Sequence, residues 1–227
     1  MSKTSSDEVI ILDCWASPFC VRVKIALNEK GIEYEAREEN LFGGKSELLL
    51  NSNPIYQKVP VLLHNGKPLS ESTIIVDYID HTWNSTSPLL PSSPYDVAQA
   101  RFWADFIDKK VFEAGRKIWT GQTDEVVEVA KKDFIEILKQ LEELALADKA
   151  FFGGESFGYV DILAVALTSW FYTFEQFGGF KVEDHCPKLS AWINRCYQRD
   201  TVSKVSPDPI KIYEFVAMLR KKMLGIE

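Results

Sequence analysis

Residues 84–94 place Ser85, Ser87, Ser92 and Ser93 among Pro88, Pro91 and Pro94. Proline removes a backbone N–H and serine side chains compete for backbone hydrogen bonds, so neither a helix nor a central strand survives such a run. The segment reads as a linker, residues 85–94, between two stretches with different patterning. Short strand and helix signals alternate in residues 1–84. Helices alone are legible in residues 95–227. This predicts an α/β domain followed by an all-α domain.

In the first stretch Val9, Ile10, Ile11 and Leu12 form an apolar run suited to a strand buried on both faces. Phe19, Val23, Ala26 and Leu27 then repeat at helical spacing. Ser17 is placed to cap that helix, Pro18 to open it and Gly31 to stop it. Loose alternation over residues 32–38 predicts a second strand, and residues 46–50 predict a short helix. Residues 59–64 predict a third strand. Asn65-Gly66 then signals a tight hairpin into Lys67, Pro68 and Leu69. Ile74, Ile75, Tyr78, Ile79 and Trp83 carry the last helix of this stretch. The order gives a four-stranded mixed sheet with helices packed on it.

Beyond the linker, residues 95–119 and 125–146 predict two helices. Residues 151–154 predict a turn. Residues 159–174 are apolar all round and predict one central buried helix. Pro187 and Pro209 open two more. The charge-free run Ile162 to Phe174 falls short of the ~20 residues a bilayer span needs. The amino terminus, with Asp7 and Glu8 and no basic start, lacks the pattern of a secretory signal. Four cysteines in 227 residues fit a reducing compartment rather than a disulfide scaffold, which points to the cytoplasm. The net charge of -7 argues against a nucleic-acid surface.

Most chemical signatures are missing. There is no glycine-rich phosphate loop and no serine elbow. His64, His81 and His185 are scattered, and His185-Cys186 lacks partners at metal-site spacing, so no metal is expected. Cys14 and Cys20 are not in a Cys-x-x-Cys pattern and read as small buried residues. What stands out is Ser17, a hydroxyl at a strand-to-helix turn. It serves either as a plain N-cap or as a donor to an anion parked at the helix start. Cis X-Pro bonds are only ~5–6% of the total, so sequence alone does not assign one to Pro60.

The run Ser17-Pro18-Phe19-Cys20-Val21-Arg22-Val23, the run Lys58-Val59-Pro60-Val61-Leu62 and the run Glu71-Ser72-Thr73-Ile74-Ile75 occur in this order. Ala100-Arg101-Phe102-Trp103 and Gly158-Tyr159-Val160-Asp161-Ile162 follow. Together they resemble the glutathione transferase family, specifically its plant tau class, over nearly the whole chain. The resemblance implies a thioredoxin-like amino-terminal domain and a helical-bundle carboxy-terminal domain. It also implies conjugation of glutathione to hydrophobic electrophiles such as herbicides, with a glutathione peroxidase side activity compatible. Glutathione is then a co-substrate, and no cofactor is implied.

By that resemblance Ser17 donates a hydrogen bond to the glutathione sulfur. Val59, before a cis Pro60, pairs its main chain with the cysteinyl backbone. Glu71 accepts the γ-glutamyl ammonium, Ser72 binds its carboxylate, and Lys45 and Lys58 meet the glycine carboxylate. Phe19, Phe112, Trp119, Trp170 and Phe215 line an electrophile pocket between the domains. Asp161 is structural: it caps local amides, while Gly158 lacks the side chain for the reciprocal half. A homodimer is implied. Two other readings share these features: a non-catalytic carrier of hydrophobic ligands, and a glutathione-dependent thiol-disulfide reductase. The reductase relatives place Cys where this chain has Ser17.

Overall fold

The computed structural model describes residues 7–84 and 88–225. The amino-terminal residues 1–6 and the linker residues 85–87 lie outside the described residues, as do residues 226 and 227. The chain divides into two units, one ending at Pro88 and one beginning at Leu89.

The first unit runs β1 (Val9–Asp13), α1 (Pro18–Glu29), β2 (Glu35–Glu38), α2 (Glu47–Ser52), β3 (Val61–His64), β4 (Lys67–Ser70) and α3 (Ser72–Thr82). The sheet order is β2-β1-β3-β4, with β2 parallel to β1 and the other pairs antiparallel. Asn65 and Gly66 both take positive φ, 50° and 75°, as a tight β3–β4 hairpin requires. Ile10, Leu12, Val61 and Leu63 cluster with Leu49 of α2. Helices α1 and α3 pack on each other, and a buried Lys30–Asp80 ion pair of 2.6 Å joins them. The third strand begins at Val61, two residues later than the sequence pattern suggests. The Val59–Pro60 peptide before it is cis.

The second unit contains α4 (Pro94–Phe106), α5 (Phe112–Thr120), α6 (Asp124–Gln140), α7 (Tyr159–Val165) and α8 (Phe171–Gly178). It continues with α9 (Val182–His185), α10 (Pro187–Tyr197), α11 (Asp200–Ser203) and α12 (Pro209–Leu224). Wider π turns at Ile107–Val111 and Leu141–Leu146 lie within what the sequence predicts as two regular helices. The expected single helix over residues 159–174 is broken. It ends at Val165, tightens at Thr168–Trp170 and restarts as α8. The Thr168 hydroxyl donates to the Val165 carbonyl (2.7 Å) and the Ser169 hydroxyl to the Ala166 carbonyl (3.3 Å). Side chains that bond backward in this way compete with the regular helical ladder.

Asp161 is wholly buried at the start of α7. Its Oδ2 accepts the Gly158 N–H (3.0 Å), and its Oδ1 accepts the Phe152 N–H (3.0 Å) and the Trp192 indole N–H (2.8 Å). Gly158 has a steric reason to be glycine. A Cβ there would sit 2.7 Å from the Leu89 carbonyl oxygen, which accepts the Tyr159 N–H at 2.8 Å.

Candidate functional site

Strand register places Ser17, Val59, Glu71 and Ser72 beyond the same end of the sheet. Leu12 pairs with Val61, Val61 with Ser70, and Asp13 with Glu38. The chain therefore leaves β1 toward Ser17 and enters β3 from Val59. It leaves β4 toward Glu71 and Ser72, and leaves β2 toward Glu39, all at the same end.

Ser17 caps α1 in an extended conformation, with Pro18 in the first helical turn. Its Oγ accepts the Cys20 N–H at 3.3 Å, and its own N–H donates to the Cys14 carbonyl at 2.9 Å. The side chain is half-buried. A hydroxyl that accepts from the backbone retains its O–H as a donor. The turn before it is fixed by the Trp15 N–H, which donates to Glu38 Oε1 at 2.8 Å. The nearby Asp13 carboxylate is neutralised by Lys24 at 2.9 Å. Both neighbouring thiols are kept protonated: burial pushes Cys14 and, further, the wholly buried Cys20 above the ordinary thiol range.

Glu71 holds φ 71°, ψ 112°, an unusual backbone for a side-chain-bearing residue, and it is exposed. Such conformations cost of order 1–3 kcal/mol and cluster at functional sites. The Glu71 side chain makes no capping hydrogen bond to α3, which follows directly. Ser72, the first residue of α3, is buried, and its Oγ accepts from Arg22 Nη1 at 3.1 Å. Arg22 is itself wholly buried in α1, with its guanidinium 5.0 Å from the Phe19 ring centroid. Arg22 is a residue to which the sequence reading assigns no role. The available signal was its place on the same helical face as Phe19, Val23 and Ala26.

Lys45 and Lys58 are exposed. Lys58 follows a turn secured by Asn53, whose side-chain amide donates to the Lys58 carbonyl at 3.0 Å. Lys45 lies between the end of β2 and α2. In the helical unit, Phe112 sits edge-on to Trp170 at 5.3 Å and to Phe174 at 6.4 Å. Trp170 is only 8% exposed, so it is packed as core. Trp119 and Phe215 are half-buried. The Trp119 carbonyl accepts from Arg220, and its buried indole N–H meets no acceptor among the described residues. Among the described residues no cluster of three or more His, Cys, Asp or Glu is placed to hold a metal ion.

Two helix N-termini, that of α1 at Ser17–Pro18 and that of α3 after Glu71, thus lie at this end of one unit, and helix N-termini favour negative charge. Residues 7–81 match the family model for the glutathione S-transferase amino-terminal domain, and residues 99–200 match that for its carboxy-terminal domain. The chain is 55% identical to glutathione S-transferase U19 of Arabidopsis thaliana over 96% of this chain and 99% of that protein. It is 53% identical to glutathione S-transferase 3 of Glycine max, over 96% and 98%. Rice GST1, solved in complex with glutathione, superposes with a TM-score of 0.92 at 45% identity, over 96% and 99% of the two chains. The tau-class transferase of mango gives 0.88 at 41% identity, over 93% and 98%.

Proposed function

The chain belongs to the glutathione S-transferase family, and from that premise we propose that it joins the glutathione sulfur to hydrophobic electrophiles, with Ser17 as the activating residue. The observation that carries this reading is the half-buried Ser17 hydroxyl at the start of α1, held there as the helix cap.

A free thiol has a pKa near ~8.5, so little of it is thiolate at neutral pH. A hydrogen bond to the sulfur and the positive end of α1 both favour the anion. The thiolate sulfur then attacks an electrophilic carbon. A new C–S bond forms, the leaving group departs with its electron pair, and the thiol proton has already passed to solvent. Glu71 takes the γ-glutamyl ammonium. Ser72 and the α3 amides take the adjoining carboxylate, with the buried Arg22 fixing the Ser72 hydroxyl. Val59 pairs with the cysteinyl backbone, and Lys45 and Lys58 receive the glycine carboxylate. Phe19, Phe112, Trp119 and Phe215 offer aromatic surface to the apolar substrate, and Trp170 supports Phe112 from the core.

Two facts disfavour the reductase reading. Ser17 stands where attacking chemistry would need a thiol, and Cys20 is buried and held protonated. The expected result is turnover of an activated aryl chloride that depends on glutathione. Tight binding of hydrophobic anions with no turnover would instead establish a carrier.

We also propose a cytoplasmic homodimer. No described helix is long and apolar enough to cross a membrane. Sedimentation is expected to give about twice the 25.9 kDa chain mass, and a species at the single-chain mass would remove the dimer.

A further inference from the structure

Glu39 is the first residue beyond β2 and is only 7% exposed. Carboxylates are almost never buried without a partner, because desolvation is costly. Here the carboxylate faces one residue across a short loop. Glu39 Oε2 accepts the Ser46 N–H at 3.1 Å, and Oε1 accepts the Ser46 O–H at 2.6 Å. The Ser46 Oγ in turn accepts the Leu49 N–H at 3.0 Å, which caps α2. The other end is fixed too: the Glu39 N–H donates to the Asp13 carbonyl at 2.9 Å, continuing the sheet. Between these anchors, Asn40 Oδ1 accepts the Phe42 N–H at 3.2 Å and the Gly43 N–H at 2.7 Å. Residues 40–45 are thus a built loop, clamped by one carboxylate onto the residue that directly follows Lys45.

We propose that Glu39 is the positioning residue for the carboxyl-terminal end of glutathione: by gripping Ser46 at both its N–H and its O–H, it delivers Lys45 to the glycine carboxylate. The proposal rests on the reading of Lys45 as a ligand of that carboxylate. An exposed lysine on an unfastened loop would lose chain and side-chain freedom on binding. The clamp removes the backbone share of that cost beforehand. Glu39 touches neither the sulfur nor the electrophile, so its effect belongs to binding of the thiol substrate and not to the bond-making step.

The test uses two thiols, glutathione and γ-glutamylcysteine, which lacks the glycyl residue. Calorimetric Kd values for both are measured on the full chain and on Glu39→Ala, Ser46→Ala and Lys45→Ala. The unmodified protein is expected to bind glutathione more tightly than γ-glutamylcysteine. Glu39→Ala should weaken glutathione about tenfold, leave γ-glutamylcysteine unchanged, and raise KM with kcat held at saturation. Ser46→Ala, which keeps the Glu39 side chain in place, should shift selectivity in the same direction. Adding Lys45→Ala to Glu39→Ala should cost little more than either change alone. Equal weakening of both thiols would overturn the proposal and leave Glu39 as a general stabiliser of the loop. Unchanged binding of both, or strictly additive losses, would also overturn it. If Lys45→Ala leaves selectivity intact, the Lys45 reading itself fails. Failure of the Ser17 reading looks different, since Ser17 acts on kcat for both thiols alike.

Discussion

Ser17→Ala is expected to lower conjugation at pH 7 by about 10²–10³-fold, the scale set by removing one preorganised donor from a developing or bound anion. The fold should survive. The lost cap, a Cys20 N–H to Oγ bond of 3.3 Å, costs about 1 kcal/mol. The pH profile separates the two effects. Without the donor, the bound thiol titrates closer to its free value of ~8.5. The variant should therefore recover part of its deficit as pH rises toward 9, while glutathione binding changes little. Full activity at pH 7 in a folded variant would end the proposed mechanism. Ser17→Cys offers a companion measurement, with gain of thiol-disulfide exchange as the expected outcome.

The second large effect concerns stability. Asp161→Ala leaves three donors without their acceptor: the Phe152 and Gly158 amides and the Trp192 indole. Each unsatisfied buried donor costs about 1–3 kcal/mol, so a loss of about 3–5 kcal/mol is expected by denaturant titration. A loss below ~1 kcal/mol would show that the network contributes little. Asp161 also carries a pH signature. Burial raises its pKa to about 6, against the downward pull of the hydrogen bonds it accepts. Unfolded, it titrates near 3.8. Between these values the native state holds more protons than the unfolded one, so this contribution is full below pH 4 and declines as pH rises through 6. A shift of this size corresponds to about 3 kcal/mol. The neutral Asp161→Asn variant should lack that slope, and identical slopes in the two proteins would contradict it.

Much of this was legible from local chemistry. Ser17-Pro18 announced the start of α1, Asn65-Gly66 the hairpin, and Pro187 and Pro209 two later helices, because these residues dictate backbone geometry wherever they stand. The break between α7 and α8 was not legible. Both sides of that segment are buried, so periodicity carried no information, and the deciding bonds are made by the Thr168 and Ser169 hydroxyls. Arg22 and Glu39 were missed for another reason. A charge in a sequence reads as surface, and only tertiary packing shows that Arg22 meets Ser72 and Glu39 meets Ser46. Trp170 illustrates the converse: the family resemblance put it in the pocket wall, and only the packing shows it 8% exposed with Phe112 edge-on against it.

Four strand ends meet at one edge of the β2-β1-β3-β4 sheet, and each carries a different part of the proposed peptide cradle. Backbone register sets where each strand stops, with Leu12 opposite Val61, Val61 opposite Ser70 and Asp13 opposite Glu38, so a one-residue slip would displace whatever follows that strand by about 3.3 Å. The cradle inherits that accuracy, with the Glu39–Ser46 pair fastening the Lys45 loop in addition. Molecules that pass the folding test arrive with every contact point already in place, and those that fail it lose all of them together.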